Sequence, residues 1–361
     1  MKLTPAVFCL MGCLIALAPT GARADILAYE GFDYPEGNLI GQNGGYGWDG
    51  GWSSGGDAVV VAGSLAYNDG STDLPTFGNH ALIGGASGSA SPVRNMTSNL
   101  GLEAGTYWMS FIGERQTPHE TAADNFTRAA IFQARLGGTE QFSVGKSTRS
   151  DVEEWGVYSG IDIDGTSDYS DISQSELVFS LIKVDIVGGD DGVMDDSLSV
   201  WFNPILDPMA ALGAPDVSNV GVDDYQFDGF RVFTGGSNAS GLYAQMAIDE
   251  IRIGTEREDV VTSFIFKEGD TNGDGVVNAT DLTPIRTNYR QMVDFRSEGD
   301  LNGDGQVTFT DFRQFKTGLL AEGGSLSELN ISFLSVPEPA TWCLAAIAGL
   351  LLSRRGVKSL Q

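Results

Sequence analysis

The chain has 361 residues, 48 of them acidic and 21 basic, for a formal charge of −27 at pH 7, and 42% of it is hydrophobic. That apolar content excludes wholesale disorder. The acid excess excludes nucleic acid as a partner, because phosphate backbones repel such a surface, and favours calcium, basic partners or plain solubility. With only His80 and His119, histidine triads and histidine metal sites are poorly supplied. The three cysteines, Cys9, Cys13 and Cys343, all fall in terminal apolar segments. An exported span between them has to be held by its core or by metal.

Residues 1–24 read as an export signal. Lys2 supplies the basic start, Ala6 to Ala18 the apolar stretch, and Ala22-Arg23-Ala24 the small residues that place cleavage before Asp25. Two rivals stay open. One is the lipobox-like Leu10-Met11-Gly12-Cys13, which would lipidate Cys13, and the other is an uncleaved signal anchor.

From residue 25 to 260, short alternating stretches are broken by clusters of Gly, Asp, Ser and Asn. Tyr107, Met109 and Phe111 alternate with Trp108, Ser110 and Ile112. Leu177, Phe179 and Leu181 share one face of a longer run, and Leu198, Val200 and Phe202 share a face further on. Period-two alternation with frequent turns predicts a mainly β sandwich, and no long 3.6-residue period supports a parallel α/β sheet. Four stretches together resemble the concanavalin A-like, LamG-type jelly roll of secreted bacterial proteins. They are Tyr29-Glu30-Gly31-Phe32-Asp33-Tyr34 with Gly41-Gln42-Asn43-Gly44-Gly45, then Thr106 to Phe111, Ser199 to Pro204, and Ile248 to Gly254. The resemblance implies an antiparallel jelly-roll sandwich over 25–260 whose first and last strands pair. It says little about activity.

Related jelly-roll glucanases carry Glu-x-Asp-x-x-Glu on one strand, where alternation points carboxylates into one cleft. The nearest stretches here, Asp162 with Asp164 and Asp151 with Glu153, lack the third acid, so no catalytic residue is assigned. Tyr46, Trp48, Trp52 and Trp155 are candidate platforms for a sugar ring, with core packing as the plain alternative. The acidic stretch from Asp190 to Asp196 is either a solvated turn or a calcium loop without defined ligand spacing.

A linker over 261–267 leads to two twelve-residue segments that start 30 residues apart. The first offers Asp270, Asn272, Asp274, the Val276 carbonyl, Asn278 and Asp281. The second offers Asp300, Asn302, Asp304, the Gln306 carbonyl, Thr308 and Asp311. Oxygens at positions 1, 3, 5, 7, 9 and 12, with Gly275 or Gly305 at position 6, suit a hard cation in a tight turn, so two Ca²⁺ ions are expected. Position 12 is Asp where an EF-hand usually has Glu. Helical faces follow: Leu282, Ile285, Tyr289 and Met292, then Phe312, Phe315 and Leu319. Pro284 fits if Thr283 caps the first helix and Pro284 opens it.

The pair resembles a type I dockerin over 268–320, a duplicated loop–helix module that needs calcium to fold. The resemblance implies docking onto a cohesin-like protein, chiefly through loop positions 10 and 11 and the helix that follows. Those positions are Ala279-Thr280 and Phe309-Thr310 here, which departs from the common Ser-Thr type. A module that binds calcium only to stiffen a stalk is the other reading.

Residues 321–335, with Gly323-Gly324-Ser325, read as a linker. Then come Val336-Pro337-Glu338-Pro339, an apolar run from Ala340 to Leu352, and Ser353-Arg354-Arg355. Such a run is short for a bilayer, which needs about 20 residues. The three parts in this order resemble a PEP-CTERM sorting tail over 336–358. That implies an exosortase-type processing enzyme and placement at the cell surface or in the matrix, with membrane contact through this tail alone. The expected protein is an exported, non-catalytic envelope or extracellular-matrix component whose sandwich binds polysaccharide and whose module docks. A polysaccharide-degrading glycoside hydrolase, or an accessory subunit of a dockerin-borne assembly, is the alternative.

Overall fold

The computed structural model describes residues 26–334 except 54, 86–87, 117–128, 147–153, 160–167, 236–242, 263–266, 273–275, 294–295 and 303–304. The export signal, the sorting tail, the pairs Asp151/Glu153 and Asp162/Asp164, and the loop residues Asp274 and Asp304 lie outside the described residues.

Among the described residues, fifteen strands form two antiparallel sheets. In chain order they are β1 (Ile26–Glu30), β2 (Gly37–Asn38), β3 (Ala58–Val61), β4 (His80–Ile83), β5 (Val93–Leu100), β6 (Gly105–Gln116), β7 (Ala130–Leu136) and β8 (Thr139–Lys146). Then follow β9 (Glu154–Ser159), β10 (Asp168–Ser173), β11 (Val178–Ile186), β12 (Asp196–Phe202), β13 (Val217–Asp223), β14 (Phe227–Thr234) and β15 (Gln245–Gly254). One sheet runs β13-β12-β11-β6-β15-β4-β3-β2, with β1 also paired to β15. The other runs β10-β9-β8-β7-β14-β5. First and last strands do pair, from Ile26 opposite Gly254 to Glu30 opposite Ile251.

Side-chain alternation decides what each face meets. Met109 and Phe111 of β6 and Leu198, Val200 and Phe202 of β12 point into the core between the sheets, where they join Phe132 and Phe230. Strand β11 is apolar on both faces because both are covered. Val178, Ile182 and Val184 enter that core, whereas Phe179 and Leu181 enter a second cluster closed by Leu206 and by Val260 and Val261 of α1 (Arg257–Val261).

Two buried charge clusters pin the sandwich. Glu30 accepts hydrogen bonds from the Phe32 N–H at 2.9 Å, the Tyr34 hydroxyl at 2.8 Å and the Trp52 indole N–H at 2.9 Å, and it pairs with Arg94. The Arg94 guanidinium also donates to the Gly44 carbonyl and lies 5.2 Å from the Trp48 ring and 5.7 Å from the Trp52 ring. One ion pair therefore fastens the glycine-rich segment around residues 41–52 to β5. In the second cluster, Glu250 takes φ +53° where the register shifts between Asp249 and Arg252. That turns its carboxylate toward the Tyr29 hydroxyl, the Phe77 N–H and Arg252, at 3.1, 2.7 and 2.7 Å. Burial, with the Glu250 charge beside it, pushes the Asp249 carboxyl well above the usual carboxylate range.

These clusters correct the sugar-platform expectation for two aromatics. Trp52 and Trp155 are buried, and their indole N–H groups are spent on Glu30 and on the Glu176 carbonyl. Trp48 is half-buried against the core and donates to the Tyr29 carbonyl at 2.8 Å. Tyr46 stays half-buried, bridged to Tyr29.

The C-terminal module holds α2 (Leu282–Thr287) and α3 (Phe309–Ala321) around Val277, Leu282, Ile285, Leu301, Val307, Phe312, Phe315 and Leu319. Gly318 lets α3 press against the preceding segment, since a Cβ there would sit 1.4 Å from the Glu268 carbonyl oxygen. Three expectations change. Asp281, not Thr283, is the N-cap of α2, so Pro284 takes the third helical position. Its missing N–H costs nothing there, because first-turn N–H groups have no intrahelical acceptor. The helix also ends at Thr287, and Met292 is 74% exposed instead of continuing the apolar face. Finally, residues 326–334 do not behave as a linker. Leu326, Leu329, Ile331, Phe333 and Leu334 pack on the module core, with the Phe333 ring 5.0 Å from Tyr289 and 5.9 Å from Phe312.

Candidate metal centre

The two loops are built alike. In the first, the Asp281 carboxylate accepts the N–H groups of Thr271 at 2.9 Å, Asn272 at 3.4 Å and Asn278 at 2.8 Å. In the second, Asp311 accepts those of Leu301 at 2.9 Å, Asn302 at 3.2 Å and Thr308 at 2.7 Å. Both are the residues at positions 2, 3 and 9, so each position-12 carboxylate is held across its loop by the backbone. An Asp is short enough to reach all three, from the N-cap of α2 in the first loop and from the first turn of α3 in the second. Thr308 adds a cap to α3: its hydroxyl accepts the Thr310 N–H at 3.1 Å and donates to Asp311 at 3.1 Å. Gly305 adopts φ +79° at position 6, and its N–H meets the Asp300 carboxylate at 2.7 Å.

Asp270, Asp281, Asp300 and Asp311 are all buried. Burying carboxylates in one small module is costly unless positive charge offsets them. Backbone carbonyls, Asn and Thr oxygens complete a hard-oxygen donor set that fits calcium and suits no soft metal. The described residues thus bring the ends of each loop together. Val276 at position 7 is exposed, with its carbonyl accepting from the Asn278 side chain at 3.4 Å.

Sequence reasoning missed Arg296. It lies between the repeats and ties them together, donating to the carbonyls of Lys267 at 3.1 Å, Asp270 at 2.8 Å and Leu301 at 3.1 Å. Its neighbour Ser297 donates to the sandwich, through its N–H to the Asp33 carboxylate at 3.3 Å and through its hydroxyl to the Asp33 carbonyl at 3.2 Å. A lone arginine in a segment without periodicity carries no sequence signal of this kind.

Burial raises the Asp33 carboxyl to about 6, against the lowering pull of Ser297 and Arg296. A carboxyl raised in the folded state contributes stability that is complete below its unfolded value near 4 and lost as pH rises through about 6. Asp33→Asn is therefore expected to make the chain more stable than wild type at pH 7, by up to about 2–3 kcal/mol, with the gap closing toward pH 4. Denaturant titrations of both proteins across that range check the sign. A variant no more stable at neutral pH would contradict it.

Residues 268–320 match the Dockerin type I domain family. Dockerin type I domains bind calcium and dock onto cohesin partners, and dockerin proteins are typically extracellular or on the cell surface. No curated protein matches the chain. Similar solved structures include the botulinum neurotoxin type G receptor-binding domain, at 10% identity and TM-score 0.36, covering 66% of this chain and 51% of that one. A botulinum neurotoxin type C structure gives 10% identity and TM-score 0.39, covering 70% and 54%. A carbohydrate esterase from the Shiga toxin-encoding bacteriophage phi24B gives 14% and 0.37, covering 65% and 100%. The chain spans about half the length of the toxin domains it matches. No helix among the described residues is long and apolar enough to cross a membrane.

Proposed function

We propose that the protein is an exported, non-catalytic component of a cell envelope or extracellular matrix. Its C-terminal module binds two calcium ions and docks a cohesin-like protein, while its sandwich presents a polysaccharide-binding face. The observation that carries the docking part is the repeated loop geometry, with the same three backbone N–H groups on Asp281 and on Asp311, inside a segment that matches Dockerin type I. Asp270, Asn272, Asp274, the Val276 carbonyl, Asn278 and Asp281 would hold one ion. Asp300, Asn302, Asp304, the Gln306 carbonyl, Thr308 and Asp311 would hold the other. The non-catalytic part is supported by how the buried sandwich acids are used. Glu30 and Glu250 are committed to Arg94 and Arg252, and Asp249 to the backbone of Leu65 and Glu250. The sorting-tail resemblance over 336–358 supports surface placement.

Calorimetry of the full chain against a panel of purified type I cohesins, with calcium and with chelator, tests the docking role. Calcium-dependent binding at about micromolar affinity or tighter is expected for at least one member. Silence across the panel, with calcium still taken up, would leave only a stiffening module. Polysaccharide pull-down and release of reducing sugar from the same preparation test the sandwich, with retention expected and hydrolysis not.

A further inference from the structure

Helix α3 has two stripes. Phe312, Phe315 and Leu319 face the module core. Opposite them, Phe309, Arg313, Lys316, Thr317 and Leu320 recur at i, i+4, i+7, i+8 and i+11, and all are exposed. Phe309 is 54% and Leu320 51% exposed, so an apolar residue marks each end with two cations between. Neither Arg313 nor Lys316 enters an ion pair among the described residues. The first repeat offers no such stripe, because α2 has six residues and position 10 is Ala279.

The connection between β11 and β12 has the opposite composition. Val187, Val193 and Met194 are 50%, 49% and 68% exposed, and Leu102, whose carbonyl accepts the Asp190 N–H, is 48% exposed. Around them stand the exposed carboxylates of Glu103, Asp190, Asp191 and Asp195. Asp224 lies behind the loop and accepts the Gly192 N–H at 2.9 Å; burial and the charges of Asp196, Asp190 and Asp191 raise its carboxyl above the usual range. From residue 184 to 230 the sequence holds ten acidic residues and no Lys or Arg. The positive charge this surface lacks has to come from elsewhere. Exposed apolar groups rimmed by one sign of charge mark a protein contact better than a free ion site.

We propose that the outer stripe of α3 on one copy of the chain docks onto the β11–β12 loop of a second copy. One apolar end of the stripe then meets Val193 and Met194, and Arg313 and Lys316 meet the carboxylates of Asp190, Asp191 and Asp195 around them. Both surfaces are exposed within one chain, so they do not satisfy each other there. The contact is head to tail, so every added copy presents a fresh loop and a fresh stripe, and assembly propagates. It uses the helix that the docking reading gives to a cohesin, but it stands without that partner.

Sedimentation velocity of the full chain in calcium tests this, with helical circular dichroism and calcium uptake as checks on folding. Wild type is expected to grow in size with concentration and to dissociate as salt rises. Arg313→Glu with Lys316→Glu, and separately Asp190→Lys with Asp195→Lys, are each expected to weaken association on the order of 100-fold. Each variant keeps one intact face, and the two reversed faces are again of opposite charge, so mixing the two should restore growth that neither shows alone. A wild type that stays monomeric at every concentration overturns the proposal, even if it binds a cohesin. So does association unchanged in both variants, or a mixture that associates no more than either variant alone.

Discussion

Chelating calcium from the full chain is expected to abolish the helical signal of α2 and α3 while both sheets stay folded. The four buried loop-end carboxylates are costly to hold together without positive charge, which a cation in each loop would supply while the backbone donors fix Asp281 and Asp311. Heating should show two transitions, and only the lower one should move with calcium. Saturation at about 100 times the dissociation constant adds about 2.7 kcal/mol per site. Asp311→Ala should lose one ion. It should also lose one half of the capping box of α3, because Asp311 accepts the Thr308 N–H while the Thr308 hydroxyl still accepts the Thr310 N–H. Asp281→Ala should lose the other ion. Titration calorimetry reads the stoichiometry, expected to fall from two to one in each variant. Helices that persist in chelator would contradict the expectation.

The second large effect lies in the sandwich. Arg94→Met leaves the Glu30 carboxylate buried against Tyr34 and Trp52 without its counter-charge, which costs about 3–5 kcal/mol. For a domain of this size that lowers the upper melting transition by about 10 °C. Glu30→Gln should cost about as much, since it strands the buried Arg94 guanidinium and turns one of the two oxygens that accept the Phe32 and Trp52 N–H groups into a donor. The double variant should fall well short of the sum, because the two singles remove the same interaction. Calorimetric scans of the three proteins decide the matter, and additive losses would rule out a coupled pair.

The strands were readable because a half-covered strand writes its burial as alternation, as in Met109 and Phe111 or Leu198 to Phe202. Strand β11 was readable for the opposite reason, its apolar run reporting cover on both faces. The loops were readable because a cation dictates oxygen spacing locally. What escaped depends on residues far apart in the chain. Trp52 sits in a glycine-rich stretch that looks exposed, yet Arg94 and Glu30 pull it inward. Arg296 acts through three carbonyls spread over 34 residues, and no local pattern encodes that. Residues 326–334 hide a small core contribution behind a Gly-Gly-Ser start. Their apolar spacing of Leu326, Leu329, Ile331 and Phe333 was the available clue.

That packed segment also governs mechanics. A slack spacer would absorb a pull on the C-terminus by straightening, each residue yielding about 3.5 Å before any tension reached the folded part. With Phe333 wedged between Tyr289 and Phe312, a tug beyond residue 334 arrives at once on the calcium module. Withdrawal of metal then softens the first folded part that such a tug meets, so the ion content of the surroundings sets how much force the segment at 326–334 can bear.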